Sequence, residues 1–422
     1  MSEPLSTDSY KGVRDFYPAD WAQMEAMFTR IRGTLALWGY EEYNASPLER
    51  SELYEAKTSE EIVNEQTYTF TDRGDRSVTL RPEMTPTLAR MVAGKRRELA
   101  YPLRWFSIGN RFRYERPQKG RLREFYQADI DLVGLPEGEA DIEVVRLASA
   151  LLKSFGATES DFIIRMNSRP LLNAACAAAG LSGESVRQYL RLLDKKSKMD
   201  SETFAAASRE ICAKDPLSII DDADSDPTVA TEKKRLFDRI AALTARGVSN
   251  VVFDSGITRG FDYYTGMVFE VYDTNPANPR ALFGGGRYDG LVALFGGDPI
   301  PAVGFALGDV TLADFLNTHS LVSKSDFDTP QLYLGTPLAS DIPAAQAFAD
   351  TLRAQSCRIF VNLTDRGLGD QIKDAVKRGI PFFAAYGANE IAGQTLRMKI
   401  LATGEEDTLS LSDLPARLNS GN

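Results

Sequence analysis

The chain has 422 residues, 49 Lys and Arg against 59 Asp and Glu for a formal net charge of -10, and 43% apolar content. This is longer than one hydrophobic core usually organises, so two or three folded domains are expected. The acidity argues against a basic shell for nucleic acid and leaves room only for a local patch. His319 is the sole histidine, which argues against a structural zinc site and, with no base partner in view, against a serine-histidine-aspartate hydrolase. Cys176, Cys212 and Cys357 lie far apart without a C-x-x-C pair, as suits buried thiols in a reducing compartment. No stretch approaches about eighteen uncharged apolar positions, and MSEPLSTDSYKG has no basic-then-apolar signal pattern, so a soluble cytoplasmic protein with no membrane partner is expected.

In chain order, the spacing of Trp21, Met24, Phe28, Ile31 and Leu35 predicts a first helix over 20–38, with Asp20 as N-cap. TPTLARMVAGKRREL, at 85–99, opens on Thr85 and Pro86, an N-cap followed by a first-turn proline. A strand is predicted near 103–107. The stretch RFRYERPQKGRLREFYQ, 111–127, then carries six cationic side chains against two carboxylates and reads as a β-hairpin with a basic turn. Period two places Arg121, Arg123, Phe125, Gln127, Asp129 and Asp131 on one face and Leu122, Tyr126, Ala128, Ile130 and Leu132 mostly on the other. A helix over 139–155 is followed by a mostly helical block over about 169–247. Strand patterns return at 250–256, 267–273 and 301–308. From Gln331 onward, strands alternate with helices, predicting a small α/β domain that begins near 326. Its nine basic and ten acidic residues make it nearly neutral. Lys373, Lys377 and Arg378 form its one basic helix patch, read first as a solvated face.

The arginines of the hairpin admit two readings: a solvated salt-bridge ladder, or guanidinium forks held on rigid strands for phosphate oxygens. Other blocks add LRPEMT at 80–85, TRGFDYYTG at 258–266, FGGGRYDGL at 283–291 and VGFALG at 303–308. For Arg259 the structural alternative is a buried ion pair, and for Tyr263 and Tyr264 ordinary strand aromatics. The glycines 284–286 are either a turn or a close approach to substrate.

Together and in this order, these blocks resemble the class II aminoacyl-tRNA synthetases, and specifically the histidyl-tRNA synthetases. F-R-x-E-R-P-Q-x-G-R-x-R-x-F-x-Q resembles the second class motif, R-G-F-D-Y-Y-x-G a block specific to the histidine enzymes, and WGYEEYNASPLE the first motif at the dimer interface. The resemblance implies a catalytic domain over 1–325 with an antiparallel sheet flanked by helices and a helical insertion. An anticodon-binding-like α/β domain with a mixed sheet would follow over 326–422. It implies the substrates L-histidine, ATP with Mg2+, and tRNA(His), and a homodimer. By resemblance Arg113 holds the α-phosphate, Arg121 the outer phosphates, and Glu115 and Phe125 the adenine. Arg259 holds the amino acid carboxylate and the transition state, with Arg113 and Gln127 as the other catalytic residues. Glu83, Thr85 and Gln127 take the α-amino end, and Tyr264 and Asp131, with Tyr263 alongside, the imidazole. Arg116, Gln118 and Lys119 would meet the tRNA acceptor end.

Two departures stand out. Asp131 occupies a place where the family usually has glutamate, drawing the acid back by roughly 1.5 Å. Aligned through VGFALG, the third-motif arginine falls on Thr311, and no arginine occurs from 288 to 352. The alternative reading is therefore a catalytically altered paralogue that senses histidine as the regulatory subunit of ATP phosphoribosyltransferase. A class II enzyme for proline, threonine or glycine is disfavoured by the R-G-F-D-Y-Y block. A plain nucleic-acid-binding protein would leave Glu83, Thr85 and Asp131 without a purpose.

Overall fold

The structure is a computed structural model, described here for residues 5–55, 66–115, 121–196, 199–222, 226–259, 263–321 and 329–420. The chain divides into two compact units, residues 1–323 and 324–422. The strands in chain order are β1 (Glu41–Glu42), β2 (Leu48–Arg50), β3 (Tyr68–Thr71), β4 (Ser77–Leu80), β5 (Leu103–Phe112), β6 (Glu124–Val133), β7 (Phe162–Ser168) and β8 (Val251–Phe253). They continue as β9 (Met267–Asp273), β10 (Ala281–Arg287), β11 (Ala302–Gly308), β12 (Leu332–Gly335), β13 (Ile359–Val361), β14 (Phe382–Ala385), β15 (Thr395–Ile400) and β16 (Glu406–Ser410).

The larger unit is organised by an eight-stranded sheet of order β1-β5-β6-β11-β10-β9-β7-β8. Its six central strands are antiparallel, as expected. The edge strands differ: β1 runs parallel to β5 and β8 parallel to β7. Both edges are reached by crossovers rather than hairpins, and a crossover returns a strand in the same direction. The longest ladder joins β5 and β6, from Leu103 opposite Val133 to Phe112 opposite Glu124. A three-stranded sheet, β2-β4-β3, forms separately.

The alternation of EFYQADIDLV decides how β6 sits. Ala128, Ile130 and Leu132 enter the main core with Met27, Phe28 and Ile31 of helix Pro18–Leu37 and Val144, Leu147 and Leu151 of helix Glu139–Ser154. Full burial of each large aliphatic side chain contributes about 1.5–3 kcal/mol. Helix Pro18–Leu37 begins after Tyr17, so Asp20 lies in its first turn and is not its N-cap. It ends because Gly39 adopts φ +74, letting the Tyr40 N–H reach the Leu35 carbonyl at 3.1 Å. The block after β7 is helical as read, with helices Arg169–Ala178, Glu184–Asp194, Ser201–Ile211, Pro216–Asp221 and Pro227–Ala245. Asp200 and Asp226 cap the third and fifth through their carboxylates.

The smaller unit carries a five-stranded sheet of order β13-β12-β14-β15-β16. Its first three strands are parallel and its last two antiparallel. Gln371, buried under the sheet, joins Thr336 to Arg366 through its amide. The basic patch is a paired helix face: Lys373 meets Asp370 at 2.9 Å and Arg378 meets Asp374 at 2.8 Å. Among the described residues no helix is long and apolar enough to cross a membrane.

Candidate active site

A cavity of about 1140 Å³ opens on the face of the large sheet opposite the core. Glu83, Thr85, Arg113, Glu115, Arg121, Phe125, Gln127, Asp131, Arg259, Tyr263 and Tyr264 all line it. Arg116, Gln118 and Lys119 lie outside the described residues.

Glycine makes the cavity. Gly284 and Gly286 belong to β10, not to a turn, and stand opposite Ala306 and Gly304 of β11. A Cβ on Gly284 would sit 2.5 Å from an Arg259 nitrogen and 2.4 Å from the Phe269 carbonyl. On Gly304 it would sit 2.2 Å from the Asp131 carboxylate and 2.6 Å from the Ile130 carbonyl. Side chains there would overlap the groups that fill the cavity wall.

Asp131 faces the cavity from β6 and is 3% exposed. One carboxylate oxygen accepts a hydrogen bond from the Tyr288 hydroxyl, while Oδ2 is buried without a hydrogen-bond partner among the described residues. Burial is the main cause that pushes the Asp131 carboxyl up to about 8, opposed by the Tyr288 hydrogen bond. Tyr288 belongs to the block FGGGRYDGL, yet spacing gave no reason to put it on the acid. Its place is fixed by Arg287, whose buried guanidinium meets Asp141 at 2.8 Å and Asp289 at 2.9 Å and takes the carbonyls of Leu135 and Pro136.

Glu83 is also buried and accepts from the Tyr263 hydroxyl at 2.9 Å. Burial, then the facing Glu83, holds the Tyr263 phenol well above its ordinary value. Tyr263 therefore acts on Glu83, and Tyr264, with ring centres 4.9 Å apart, stands beside it. Thr85 is the first residue of helix Thr85–Lys95, whose N-cap is Met84, so its hydroxyl is not the cap expected. Gln127 donates to Asp129 at 2.7 Å, and Asp129 is gripped by the fully buried Arg111 at 2.6 Å. Neither Asp129 nor Arg111 behind it had been singled out as a site residue. The pair crosses the β5–β6 ladder off register, since Arg111 stands directly opposite Phe125.

Arg259 has a left-handed backbone, φ +58, costing about 1–2 kcal/mol for a non-glycine residue. Its guanidinium meets Glu270 at 3.3 Å and lies 5.9 Å over the Tyr264 ring. Burial opposes its charge, but Tyr264 and Glu270 outweigh this and raise its pKa. Its Nε is buried without a hydrogen-bond partner among the described residues.

Arg113 donates to the Pro82 carbonyl at 3.0 Å and lies 5.3 Å over the Phe125 ring. Burial draws its pKa down, with Glu83 and Glu115 opposing. Arg121 pairs with Glu115 at 2.9 Å, the arginine half-exposed. Arg123 leaves the cavity: it binds Tyr10 and the Glu115 carbonyl and lies 4.0 Å over Tyr114. Thr311 lines the cavity, but its hydroxyl donates to the Leu282 carbonyl at 2.6 Å.

The arrangement joins a buried acid with a spare acceptor to a row of arginines, suited to a ligand with a polar ring at one end and anionic groups at the other.

A family model described as histidyl-tRNA synthetase matches residues 12–311, and one described as anticodon binding domain matches residues 334–420. The histidine–tRNA ligase of Leptospira biflexa is 38% identical, with 97% of both chains aligned. That of Opitutus terrae is 38% identical over 94% of both, and that of Halobacterium salinarum 36% over 97% of both. Histidyl-tRNA synthetase from Nostoc sp. PCC 7120 has the same fold, with a TM-score of 0.77 at 23% identity, covering 99% of this chain and 100% of its own. The S. aureus enzyme superposes with a TM-score of 0.74 at 23% identity, over 98% of this chain and 100% of its own. By its family model and by relatives aligned along nearly their whole length, the chain belongs to the histidyl-tRNA synthetase family of class II aminoacyl-tRNA synthetases.

Proposed function

We propose that this chain activates L-histidine with ATP to histidyl-adenylate, releasing pyrophosphate, and transfers the histidyl group to tRNA(His). The observation that carries the reading is the buried Oδ2 of Asp131, which lines the cavity and has no hydrogen-bond partner among the described residues. An imidazole nitrogen would satisfy it, and a site with buried polar atoms rejects side chains that leave them unpaired by roughly 10⁴-fold or more. Tyr288, which lines the same cavity, donates its hydroxyl to the other carboxyl oxygen of Asp131.

Glu83, fixed by Tyr263, with Thr85 and Gln127, would receive the α-ammonium group. Arg259 would hold the histidine carboxylate as it attacks the α-phosphate. Arg113 would neutralise the charge that grows on that phosphate, with Phe125 and Glu115 on the adenine. The barrier is one of bringing anions together, so positioned cations supply most of the catalysis. Magnesium would accompany ATP as the counter-ion of its phosphates. The residue 324–422 unit, with its anticodon-binding match, would take the tRNA, and residues 116–120 its acceptor end. We further propose a cytoplasmic homodimer. Support for the dimer is the exposed apolar surface of Leu37, Leu48 and Phe70 around the first motif.

The test is exchange of labelled pyrophosphate into ATP. Exchange that depends on histidine is expected; its absence at saturating magnesium and substrates would leave the histidine-sensing paralogue as the better reading.

A further inference from the structure

Strand β8 pairs with β7 in parallel as far as Phe253, opposite Met166. One residue on, the Asp254 N–H still reaches the Met166 carbonyl at 3.0 Å, and from there side chains at the end of β7 take over from the ladder. The Asn167 amide donates to the carbonyls of Ser255 at 3.1 Å and Ile257 at 2.8 Å, and the Arg169 guanidinium donates to the carbonyl of Arg259 at 3.2 Å. Every second carbonyl of 255–259 thus receives a side-chain donor, which is how a stretch outside regular structure satisfies its backbone. Asn167 and Arg169 are both buried.

Two further contacts close on the same place. The Thr258 hydroxyl donates to Asp194, the last residue of helix Glu184–Asp194, at 3.3 Å. The Arg169 N–H donates to the Gly266 carbonyl at 2.9 Å, so Arg169 touches the chain on both sides of Tyr263 and Tyr264. The residue whose carbonyl it takes is the one with the left-handed backbone, φ +58 at Arg259. Such a conformation persists only where the surrounding structure fixes it. From that backbone the Arg259 guanidinium lines the cavity and meets Glu270.

We propose that Arg169 is a positioning residue for Arg259: by holding the Arg259 carbonyl it keeps the guanidinium aimed at the histidine carboxylate. The inference rests on the role given to Arg259 above. It also gives the helical block after β7 a part in the reaction, since its first residue and Asp194 supply the grip.

The experiment is a double-mutant cycle of Arg169→Met with Arg259→Ala in histidine-dependent pyrophosphate exchange. Amide deuterium uptake over 254–259 is measured beside it, and denaturant midpoints establish that each variant is folded. Arg169→Met keeps the length of the side chain without its donors. It is expected to lower kcat/KM for histidine about tenfold to a hundredfold, the cost of a misplaced catalytic group, with KM for ATP unchanged and faster uptake over 254–259. In the Arg259→Ala background the same change should cost less than about twofold, because the group it positions is already gone. Arg169→Lys is expected to keep part of the rate, and takes the place of Arg169→Met in the cycle where the latter does not fold. An unchanged kcat/KM for histidine, losses that multiply in the double variant, or unchanged uptake over 254–259 would each overturn the proposal. A parent without histidine-dependent pyrophosphate exchange would strike the proposed function alone, since deuterium uptake still decides whether Arg169 holds the backbone of Arg259.

Discussion

On β6, Ile130 and Leu132 enter the helices with no exposed surface, while Asp129 and Asp131, on the same strand, enter the cavity almost as deeply buried but as acids. On the apolar side every buried atom gains contact. On the cavity side Asp131 Oδ2 and Arg259 Nε lack hydrogen-bond partners among the described residues, each costing about 1–3 kcal/mol. One side of the strand supplies stability, and the other holds polar groups ready for a ligand.

The largest effect that tests this contrast is Ile130→Ala. It leaves a cavity in the core and should lower stability by about 2–5 kcal/mol in denaturant unfolding. Its kcat at 25 °C should stay near that of the parent, since the side chain lies in the main core and none of the proposed site residues does. A large kcat loss with a small stability loss would break the division. Arg259→Ala is the converse: a fall in kcat of roughly 10²–10³, the cost of one positioned charge donor, with little change in midpoint.

Asp131→Asn is expected to raise KM for histidine about tenfold or more by replacing one buried carboxyl oxygen with an amide nitrogen. Its stability should also respond differently to pH. With the folded carboxyl lifted to about 8 by burial and the unfolded one ordinary, the folded state holds a proton that the unfolded state releases. That contribution is complete below the ordinary carboxylate range and is lost as pH rises to about 8. Unfolding midpoints of the parent should therefore fall more steeply over this window than those of Asp131→Asn. Parallel profiles would show that the carboxyl is already ionised at neutral pH.

Period two on EFYQADIDLV was enough to separate the two sides of β6, because alternation is a property of the local chain. It was not enough for Arg123, which turns away to Tyr10 and Tyr114. The residues that fix the site acids were harder to read. Tyr288 reaches Asp131 across 157 positions, and Arg111 reaches Asp129 off the register of the ladder. No local pattern encodes either pairing. The glycines 284–286 were ambiguous for a related reason: whether they turn or make room depends on what lies opposite, here Gly304 and the Phe269 carbonyl. Thr85 looked like a cap because a threonine before proline commonly is one, but the helix begins a residue earlier than that pattern requires.

Thr311 gives the smallest test, and it probes where the two sides of the sheet meet. Its hydroxyl reaches the Leu282 carbonyl at 2.6 Å, joining helix Asp309–Thr318 to the first residues of β10. If the hydroxyl serves the fold, Thr311→Val keeps the shape and loses one hydrogen bond, lowering stability by about 1 kcal/mol. KM for ATP should then be unchanged, because the phosphate charge would be carried by arginines across the cavity. A raised KM for ATP with unchanged stability would instead put the Thr311 hydroxyl on the phosphates, and would move the boundary between stabilising and ligand-binding groups into the first turn of that helix.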